Sequence, residues 1–289
     1  MIKKIQLVDL SKFLFFFFNY QSSYFMRFKF TDYHLHTKGW SVDVPEDGPT
    51  FKDYIKIAEE HQINICFLDH FELHYVENDK TNPFYNGKVN DYLEEIDIYK
   101  ESYDFILSGL EIEYYENKEI QLIEFMDDYE REFDFIGGSV HEWIIGYPIT
   151  TKEGLSKLLE KIPMKKIIDD YFKVSIKMIN SQIFKNICHI DTIFRYINNN
   201  EFIPTDDCDV SDNRVLDLGR LCIKNKIKVE LNLSGLRFPI NRTFPSMEIM
   251  EILKKEGIKF FVGSDSHSLD YFKENIPKVI DAYKILNSL

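Results

Sequence analysis

Histidines and carboxylates stand in short motifs at several places along the chain. One residue separates His34 from His36, and one residue separates Asp265 from His267. In an extended segment, residues two apart point to the same side, so each of these pairs could bind one metal ion. A single pair is weak evidence, but six of the eight histidines follow predicted β-strands, and this joint pattern is much stronger. The six are His34, His36, His70, His141, His189 and His267.

Imidazoles and carboxylates without thiolates are typical of a zinc, iron or manganese site. There are more of these groups than one tetrahedral ion needs, so two or three ions bridged by a carboxylate explain the number better. Such clusters stabilise the attacking and leaving oxygens of a phosphoryl displacement and make hydroxide available near neutral pH. The sequence has no P-loop and no dinucleotide-binding fingerprint, and we interpret Gly137 and Gly138 as a strand kink rather than a phosphate cradle.

Seven short β-rich runs alternate with amphipathic helical patterns after Met26. Apolar residues between Met164 and Met178, and between Ile276 and Leu286, recur with the period of one helix face. Thr50 and Thr151 precede helical patterns and could cap them. The predicted strands are Arg27–Tyr33, Asn64–Leu68, Phe105–Leu110, Phe133–Val140, Asn186–Cys188, Lys228–Leu233 and Lys259–Gly263.

This alternation predicts an α/β fold with a parallel sheet and helical crossovers. A doubly wound sheet and a closed barrel both fit the pattern. The polar residues favour the barrel, because the chemistry of such barrels collects at one rim, where the strands end. Almost every predicted strand in this chain ends in a histidine, an aspartate or a glutamate.

The chain has 289 residues, of which 44% are hydrophobic and 29% charged, as is ordinary for a soluble globular protein. Its net charge of −13 argues against broad binding to nucleic acids or anionic membranes. None of the four cysteines forms a CxxC pair, so we expect reduced thiols in a cytoplasmic protein. The apolar run Phe13–Phe18 is too short to span a membrane. We expect residues 1–25 to be a non-functional extension and residues 26–289 to form one domain.

Six motifs, in their order along the chain, resemble those of the PHP superfamily (polymerase and histidinol phosphatase). They are Asp-Tyr-His-Leu-His-Thr from Asp32, Asp-His from Asp69, Gly-Leu-Glu from Gly109, Ser-Val-His from Ser139, Cys-His-Ile-Asp from Cys188 and Ser-Asp-Ser-His from Ser264. The segments His189–Tyr196 and Glu230–Arg237 are specifically similar to the monofunctional histidinol-phosphate phosphatases of that superfamily. The resemblance runs from Arg27 to the C-terminus, and it implies a distorted (β/α)7 barrel with a trinuclear metal site.

The resemblance also implies how the ligands divide among the ions, with Glu111 shared by the first two. The implied ligands are His34, His36, Glu111 and Asp265 for the first ion, and Glu111, His141 and His189 for the second.

The third ion would take His70, His267 and one residue of the loop 37–48, where relatives often have a histidine. This loop contains no histidine. Asp43 is therefore the best candidate, ahead of Glu46 and Asp47. The departure leaves open a weakly bound or empty third site.

Arginine is scarce in the sequence, so its position is more informative than that of lysine. Arg195 and Arg237 follow the fifth and sixth predicted strands, on the same rim as the histidines. A guanidinium can bind two phosphate oxygens at once, so we interpret these two residues as a phosphate clamp rather than as surface ion pairs. Ser234 is a further candidate for substrate binding, and Asp265 and His267 are catalytic candidates that could protonate the leaving group.

The predicted function is metal-dependent hydrolysis of a phosphomonoester, with L-histidinol phosphate of histidine biosynthesis as the first choice of substrate. The cofactors would be two or three zinc, manganese or iron ions, and the partner a small phosphorylated substrate rather than nucleic acid or membrane. The alternative is a related phosphoesterase acting on another small ester or a nucleotide. A catalytically idle metal-binding barrel would instead predict missing ligands, and the ligand set is nearly complete.

Five further residues are assigned places around this site. Asp69 and Asp191 are expected to orient histidines from behind. Phe71, Glu72 and Tyr196 are candidates for the pocket that holds the imidazole and the amine of the substrate.

Overall fold

A computed structural model describes residues 26–197 and 212–289, and within them seven parallel strands pair in chain order. The strands are β1 (Thr31–Leu35), β2 (Asn64–Phe71), β3 (Ile106–Glu113), β4 (Phe135–Ser139), β5 (Asn186–Ile187), β6 (Lys228–Asn232) and β7 (Phe260–Gly263). Every pairing is with the next strand and is parallel. Parallel neighbours need long crossover connections, and helices supply them here. The predicted N-terminal extension, residues 1–25, lies outside the described residues.

The described helices lie in the crossovers and after the last strand. They are α1 (Phe51–His61), α2 (Leu73–Asn78), α3 (Val89–Lys100), α4 (Glu119–Tyr129), α5 (Lys152–Leu159), α6 (Met164–Ser181), α7 (Asp212–Asn225), α8 (Met247–Lys255) and α9 (Leu269–Ser288). The predicted caps are confirmed: Thr50 forms a capping box with Asp53, and the Thr151 hydroxyl accepts a hydrogen bond from the Gly154 amide at 3.0 Å. No helix in the described ranges is both long and apolar enough to span a membrane.

The first and last strands approach each other and nearly close the sheet. The His36 amide donates to the Ser266 carbonyl at 3.0 Å, and the Ser266 amide donates to the His34 carbonyl at 3.2 Å. The buried carboxylate of Asp32 adds a side-chain link, because it accepts from the Ser264 amide at 2.8 Å. The fold is therefore a nearly closed (β/α)7 barrel, and of the two predicted architectures the barrel is confirmed.

Two separate groups of buried apolar side chains fill the molecule. The larger one lies between the sheet and the helices, and it includes Phe67, Tyr92 and Phe272. The smaller one receives residues from six strands or strand ends, so it lies inside the barrel. It consists of Cys66, Leu68, Leu107, Phe135, Cys188 and Phe261, with Met26 and Tyr33 against it.

Several local predictions differ from the structure. Strands β2 and β3 extend to Phe71 and Glu113, three residues beyond their predicted ends. Strand β1 begins at Thr31 rather than Arg27, because the Asn64 side chain hydrogen-bonds the Phe28 main chain where a strand partner would be needed. Gly137 and Gly138 pair regularly inside β4 and do not kink it. Their lack of a side chain allows close packing instead, since a Cβ on Gly137 would lie 2.5 Å from the Cys188 sulfur.

Candidate metal centre and active site

The six motif histidines converge at the carboxyl ends of the strands, around the buried carboxylate of Glu111. Oε1 of Glu111 lies 3.2 Å from His141 Nε2 and 2.8 Å from His189 Nε2. Its Oε2 lies 3.2 Å from both His34 Nε2 and His70 Nδ1. One carboxylate therefore stands between two groups of imidazoles and offers one oxygen to each. This is the arrangement expected of a residue that bridges two cations.

The spacing of these atoms fits metal ligation. His141 Nε2 and His189 Nε2 lie 3.2 Å apart, and both approach the same oxygen of Glu111. Ligands about 2.0–2.1 Å from a tetrahedral zinc ion lie about 3.3 Å from one another. Two imidazole nitrogens at this separation, aimed at a third ligand atom, can therefore share one ion.

A second group of ligand atoms lies on the other side of Glu111. His36 Nε2 is buried, has no hydrogen-bond partner among the described residues, and lies 3.4 Å from Asp265 Oδ1. His34 Nε2, Glu111 Oε2 and His36 Nε2 lie close enough together to hold a second ion. Asp265 has a φ of 57°, in the left-handed region, and this backbone conformation aims its carboxylate at the group. Such conformations in residues other than glycine concentrate at functional sites.

A third group includes the aspartate from the loop that lacks a histidine. Asp43 Oδ2 lies 2.8 Å from His267 Nε2 and 3.3 Å from His70 Nε2. Its two rivals lie elsewhere: Glu46 approaches Lys38, and neither Glu46 nor Asp47 belongs to a cluster of candidate metal ligands among the described residues. The structure thus brings Asp43 to the position implied for the third ion's remaining ligand, and its role there stays a prediction.

In some of these imidazoles, the ring nitrogen that does not face Glu111 contacts a second carboxylate. His34 Nδ1 bonds Glu230 Oε1 at 2.7 Å, and His141 Nδ1 lies 3.0 Å from Glu113 Oε2. A carboxylate on one ring nitrogen fixes the tautomer and points the other nitrogen at the metal. Sequence reasoning missed both glutamates. The signals were the position of Glu113, two residues after Glu111 on the same strand face, and the charge of Glu230 inside an apolar strand.

Asp69 acts on a different histidine from the one expected. Its carboxylate accepts hydrogen bonds from the Thr37 amide at 2.6 Å and from the Ser41 hydroxyl at 2.8 Å. The Ser41 oxygen in turn lies 3.0 Å from His36 Nδ1. Asp69 therefore orients His36 through Ser41, rather than the ring of its neighbour in sequence.

The crowding of acids and imidazoles sets their ionisation. Burial alone would raise the pKa of the Glu111 carboxyl, but the surrounding imidazoles outweigh it and hold the pKa well below its usual range. Burial would lower the pKa of His141, and Glu111 and Glu113 instead hold it well above its usual value. Burial and neighbouring imidazoles hold the pKa of His36 well below normal, which keeps it neutral. Cations that bind here would replace protons held by the cluster.

Arg195 and Arg237 line a cavity of about 240 Å³ together with four of the six histidines, namely His70, His141, His189 and His267. The Arg195 guanidinium donates to the Thr150 carbonyl at 3.2 Å, and that of Arg237 donates to the Asp265 carbonyl at 3.3 Å. Ser234 is fully buried, and its hydroxyl donates to Asn232 Oδ1 at 2.6 Å. Its contact with substrate stays a prediction.

Asp191 was expected to orient a histidine. Its carboxylate forms an ion pair with Arg242 at 2.7 Å instead. This arginine was not singled out in the sequence. Asp191 lies two residues after His189, so the pair braces the loop that leads from β5 to Arg195.

A second cavity of about 310 Å³ adjoins the first, and the two share Asp43, His70 and His141 in their walls. Its other acidic residues are Glu72, Asp79 and Glu142. Burial raises the pKa of Glu72 to about 7. Of the three residues expected in the substrate pocket, Glu72 lines this cavity. Phe71 is buried in the main core, and the Tyr196 hydroxyl donates to the Thr150 carbonyl at 2.8 Å.

Among the solved structures with similar architecture are two that bear on function. One is a proposed histidinol phosphatase from Listeria monocytogenes, with a TM-score of 0.73 and 17% identity over 86% of this chain and 99% of that chain. The other is histidinol phosphate phosphatase from Lactococcus lactis complexed with zinc, L-histidinol and phosphate. It has a TM-score of 0.66 and 19% identity over 87% of this chain and 94% of that chain. This chain has their fold. No family model and no curated sequence matches it.

The shared fold extends over nearly the whole of both proteins. It confirms the barrel that the motif resemblance implied, with the six histidines gathered at one end of it. At this level of identity the likeness concerns architecture.

Proposed function

We propose that the chain is a metal-dependent phosphomonoesterase of the PHP superfamily that hydrolyses L-histidinol phosphate to L-histidinol and phosphate. The domain is formed by residues 26–289, and its place is histidine biosynthesis in the cytoplasm. The free, buried thiols of Cys66, Cys188 and Cys222 are compatible with a reducing compartment. The Lactococcus enzyme of the same fold binds zinc, histidinol and phosphate, which supports this choice.

The observation that carries the proposal is that, among the described lining residues, arginines belong to one of the two adjoining cavities, while the other has no arginine or lysine. One contains two guanidiniums beside the histidine cluster, and the other contains Glu72, Asp79 and Glu142. A phosphate ester whose alcohol carries a positive amine matches both ends. A nucleotide or a sugar phosphate has no cation to place against the three carboxylates. The geometry therefore favours histidinol phosphate over those alternatives.

Three groups of side chains would hold two or three divalent ions, as predicted. They are His34, His36, Glu111 and Asp265; Glu111, His141 and His189; and Asp43, His70 and His267. When bound, such ions neutralise the charge of the phosphoryl group and lower the pKa of water. Zinc, manganese and iron all accept imidazole and carboxylate ligands, and the donor set does not separate them.

The arginines would bind the phosphate oxygens that face away from the cluster. Arg195 is buried and Arg237 exposed, so they approach the phosphate from the wall and from the mouth of the cavity. Their charges would stabilise the equatorial oxygens as the ester bond breaks. The leaving alkoxide needs a proton. His267 and Asp265 line the cavity and are our candidates for supplying it.

The test is phosphate release by the full-length chain, loaded with zinc or manganese, from L-histidinol phosphate, adenosine monophosphate and p-nitrophenyl phosphate. We expect metal-dependent activity that a chelator removes and added metal restores, with the highest kcat/KM for histidinol phosphate. Equal turnover of all three esters would support the broader phosphoesterase instead. No release by a fully metal-loaded chain would exclude both.

A further inference from the structure

The aromatic ring of Phe238 contacts both arginines that are proposed to bind the substrate phosphate. The Cζ atom of Arg195 lies 4.2 Å from the centre of the Phe238 ring, and that of Arg237 lies 5.3 Å from it. Both distances are within the range of a cation–π attraction. Phe238 lines the same cavity as the two guanidiniums and the metal-ligand candidates.

This contact addresses a physical difficulty of the clamp. Two positive guanidiniums repel each other, and proteins usually hold an arginine in place with a carboxylate. Within the described ranges, Arg195 and Arg237 each hydrogen-bond a main-chain carbonyl instead. A carboxylate would occupy the N–H groups that phosphate needs. The face of a ring attracts the charge and leaves those N–H groups available, and Nε of Arg195 is buried without a hydrogen-bond partner among the described residues.

The surroundings of the ring hold it still. Tyr196 packs edge-on against Phe238, with the ring centres 5.7 Å apart. The Phe238 amide donates to the Gly235 carbonyl at 3.2 Å, and the Ile240 amide donates to the Arg195 carbonyl at 3.3 Å. The segment that carries Arg237 and Phe238 is thereby tied to the main chain of Arg195. The ring is part of a rigid frame rather than a surface residue that happens to lie nearby.

We propose that Phe238 is a positioning residue, which holds Arg195 and Arg237 at a fixed separation with their N–H groups directed at the substrate phosphate. The proposal deepens the proposed phosphatase function and rests on it for the identity of the anion. Phe238 acts through the two arginines and touches neither the ions nor the bond that breaks. Tyr271 is a second aromatic neighbour of Arg237, since its ring centre lies 4.3 Å from Arg237 Cζ.

The experiment compares Phe238→Leu, which keeps an apolar side chain but removes the ring face, with Phe238→Tyr, which keeps the face. Leu236→Ala is the matched control, at an exposed position of the short 3-10 helix Ser234–Arg237 that directly precedes Phe238. In the zinc-loaded full-length chain we measure the Kd of inorganic phosphate by calorimetry, the metal content, and kcat and KM for histidinol phosphate.

Phe238→Leu should weaken phosphate binding and raise KM about tenfold, because two partly desolvated cation–π contacts are lost. Its kcat should change less than its KM, and its metal content should stay at the wild-type level. Phe238→Tyr should restore wild-type binding. When Arg195→Ala and Arg237→Ala are both present, adding Phe238→Leu should have no further effect on the Kd.

Three results would overturn the proposal: normal phosphate binding in Phe238→Leu, no rescue by Phe238→Tyr, or an undiminished effect of Phe238→Leu without the arginines. The last would show that the ring matters only for packing. Failure of the proposed function is a separate result. In that case the wild-type chain would release no phosphate from histidinol phosphate, while the binding measurements would still report on the clamp.

Discussion

The two ends of the barrel interior are built by the same strands from opposite kinds of residue. The lower end, towards the amino ends of the strands, contains a cluster of apolar side chains that includes Leu68 and Leu107. The upper end, at the carboxyl ends of the strands, contains the imidazoles and carboxylates of the candidate metal centre. Because side chains two apart point to the same side, one strand serves both ends. Strand β2 places Leu68 below and His70 above, and β3 places Leu107 below and Glu111 above.

The layer between the two ends shows how closely they are joined. A Cβ on Gly263 would lie 2.0 Å from Glu230 Oε1 and 2.6 Å from the Cβ of His34. Glycine is required here so that Glu230 can reach His34 from below. The comparison teaches that apolar packing at the lower end fixes the strands, while the upper end uses that rigidity to hold charges that would otherwise repel. Changes at the two ends should therefore separate stability from metal binding.

The largest expected effect is that of Glu111→Gln at the upper end. The variant keeps the shape but removes the charge between two groups of imidazoles. We expect kcat/KM to fall about a thousandfold or more, because catalytic metals contribute several kcal/mol to transition-state stabilisation. Bound metal, measured by atomic spectrometry, should fall with it. Glu116→Gln, at an exposed position, is the control. Full metal content in Glu111→Gln would remove this residue from the bridging position.

Leu68→Ala tests the lower end alone. Leu68 is fully buried inside the barrel, and its loss leaves a cavity that the glycines nearby cannot fill. The free energy of unfolding of the metal-free chain, measured with urea, should fall by about 2–5 kcal/mol. Metal content per folded chain should not change. Loss of metal at unchanged stability would mean that the two ends are not separable in this way. Leu236→Ala, partly exposed, should have little effect.

Glu230→Gln lies at the junction of the two ends. It removes the charge behind His34 without changing the size of the side chain. Residues that orient a metal-binding histidine typically contribute 10–100-fold to metal affinity, so we expect zinc to bind about 10–100-fold more weakly. Competition with a chromophoric chelator measures this. Glu251→Gln, exposed on α8, should bind zinc like the wild type. Equal zinc affinity in both variants would show that Glu230 only fills space.

The order and type of the elements could be predicted from the sequence, because apolar periodicity and threonine caps are local signals. The start of β1 could not, since it depends on the Asn64 side chain, which lies far away in sequence. The packing role of Gly137 could not be predicted either. It depends on the distance to Cys188 on a neighbouring strand, and no local pattern contains that distance.

The candidate ligands could be predicted as a set, because each follows a strand and the strands of a barrel end at one rim. The groups behind them could not. Glu230 and Glu113 occur inside strands, where a charge has meaning only once its partner is known. Asp69 was expected to hold the ring of His70, but its carboxylate accepts hydrogen bonds from the Thr37 amide and the Ser41 hydroxyl instead. The contact of two arginines with one aromatic ring could not be predicted either, because the fold brings Arg195 to Phe238.

The smallest expected effect concerns the charge difference between the two cavities at the upper end. Glu72→Gln removes one carboxylate from the acidic cavity, and Glu77→Gln, which pairs with Lys118 on the surface near it, is the control. Phosphoethanolamine and propyl phosphate differ mainly in the presence of an ammonium group. The ratio of kcat/KM for these two esters should fall about tenfold in Glu72→Gln, as expected for the loss of one hydrogen bond between charged groups.

The same ratio should depend on pH in the wild-type chain. Burial raises the pKa of Glu72 to about 7, so its carboxylate is more fully ionised at about pH 8 than at about pH 6. Preference for the ammonium ester should rise over this interval, and Glu72→Gln should remove the rise. Because both esters use the same metal centre and the same arginines, changes in those groups largely cancel in the ratio. A ratio that neither responds to pH nor changes in Glu72→Gln would mean that the acidic cavity does not select the alcohol of the substrate.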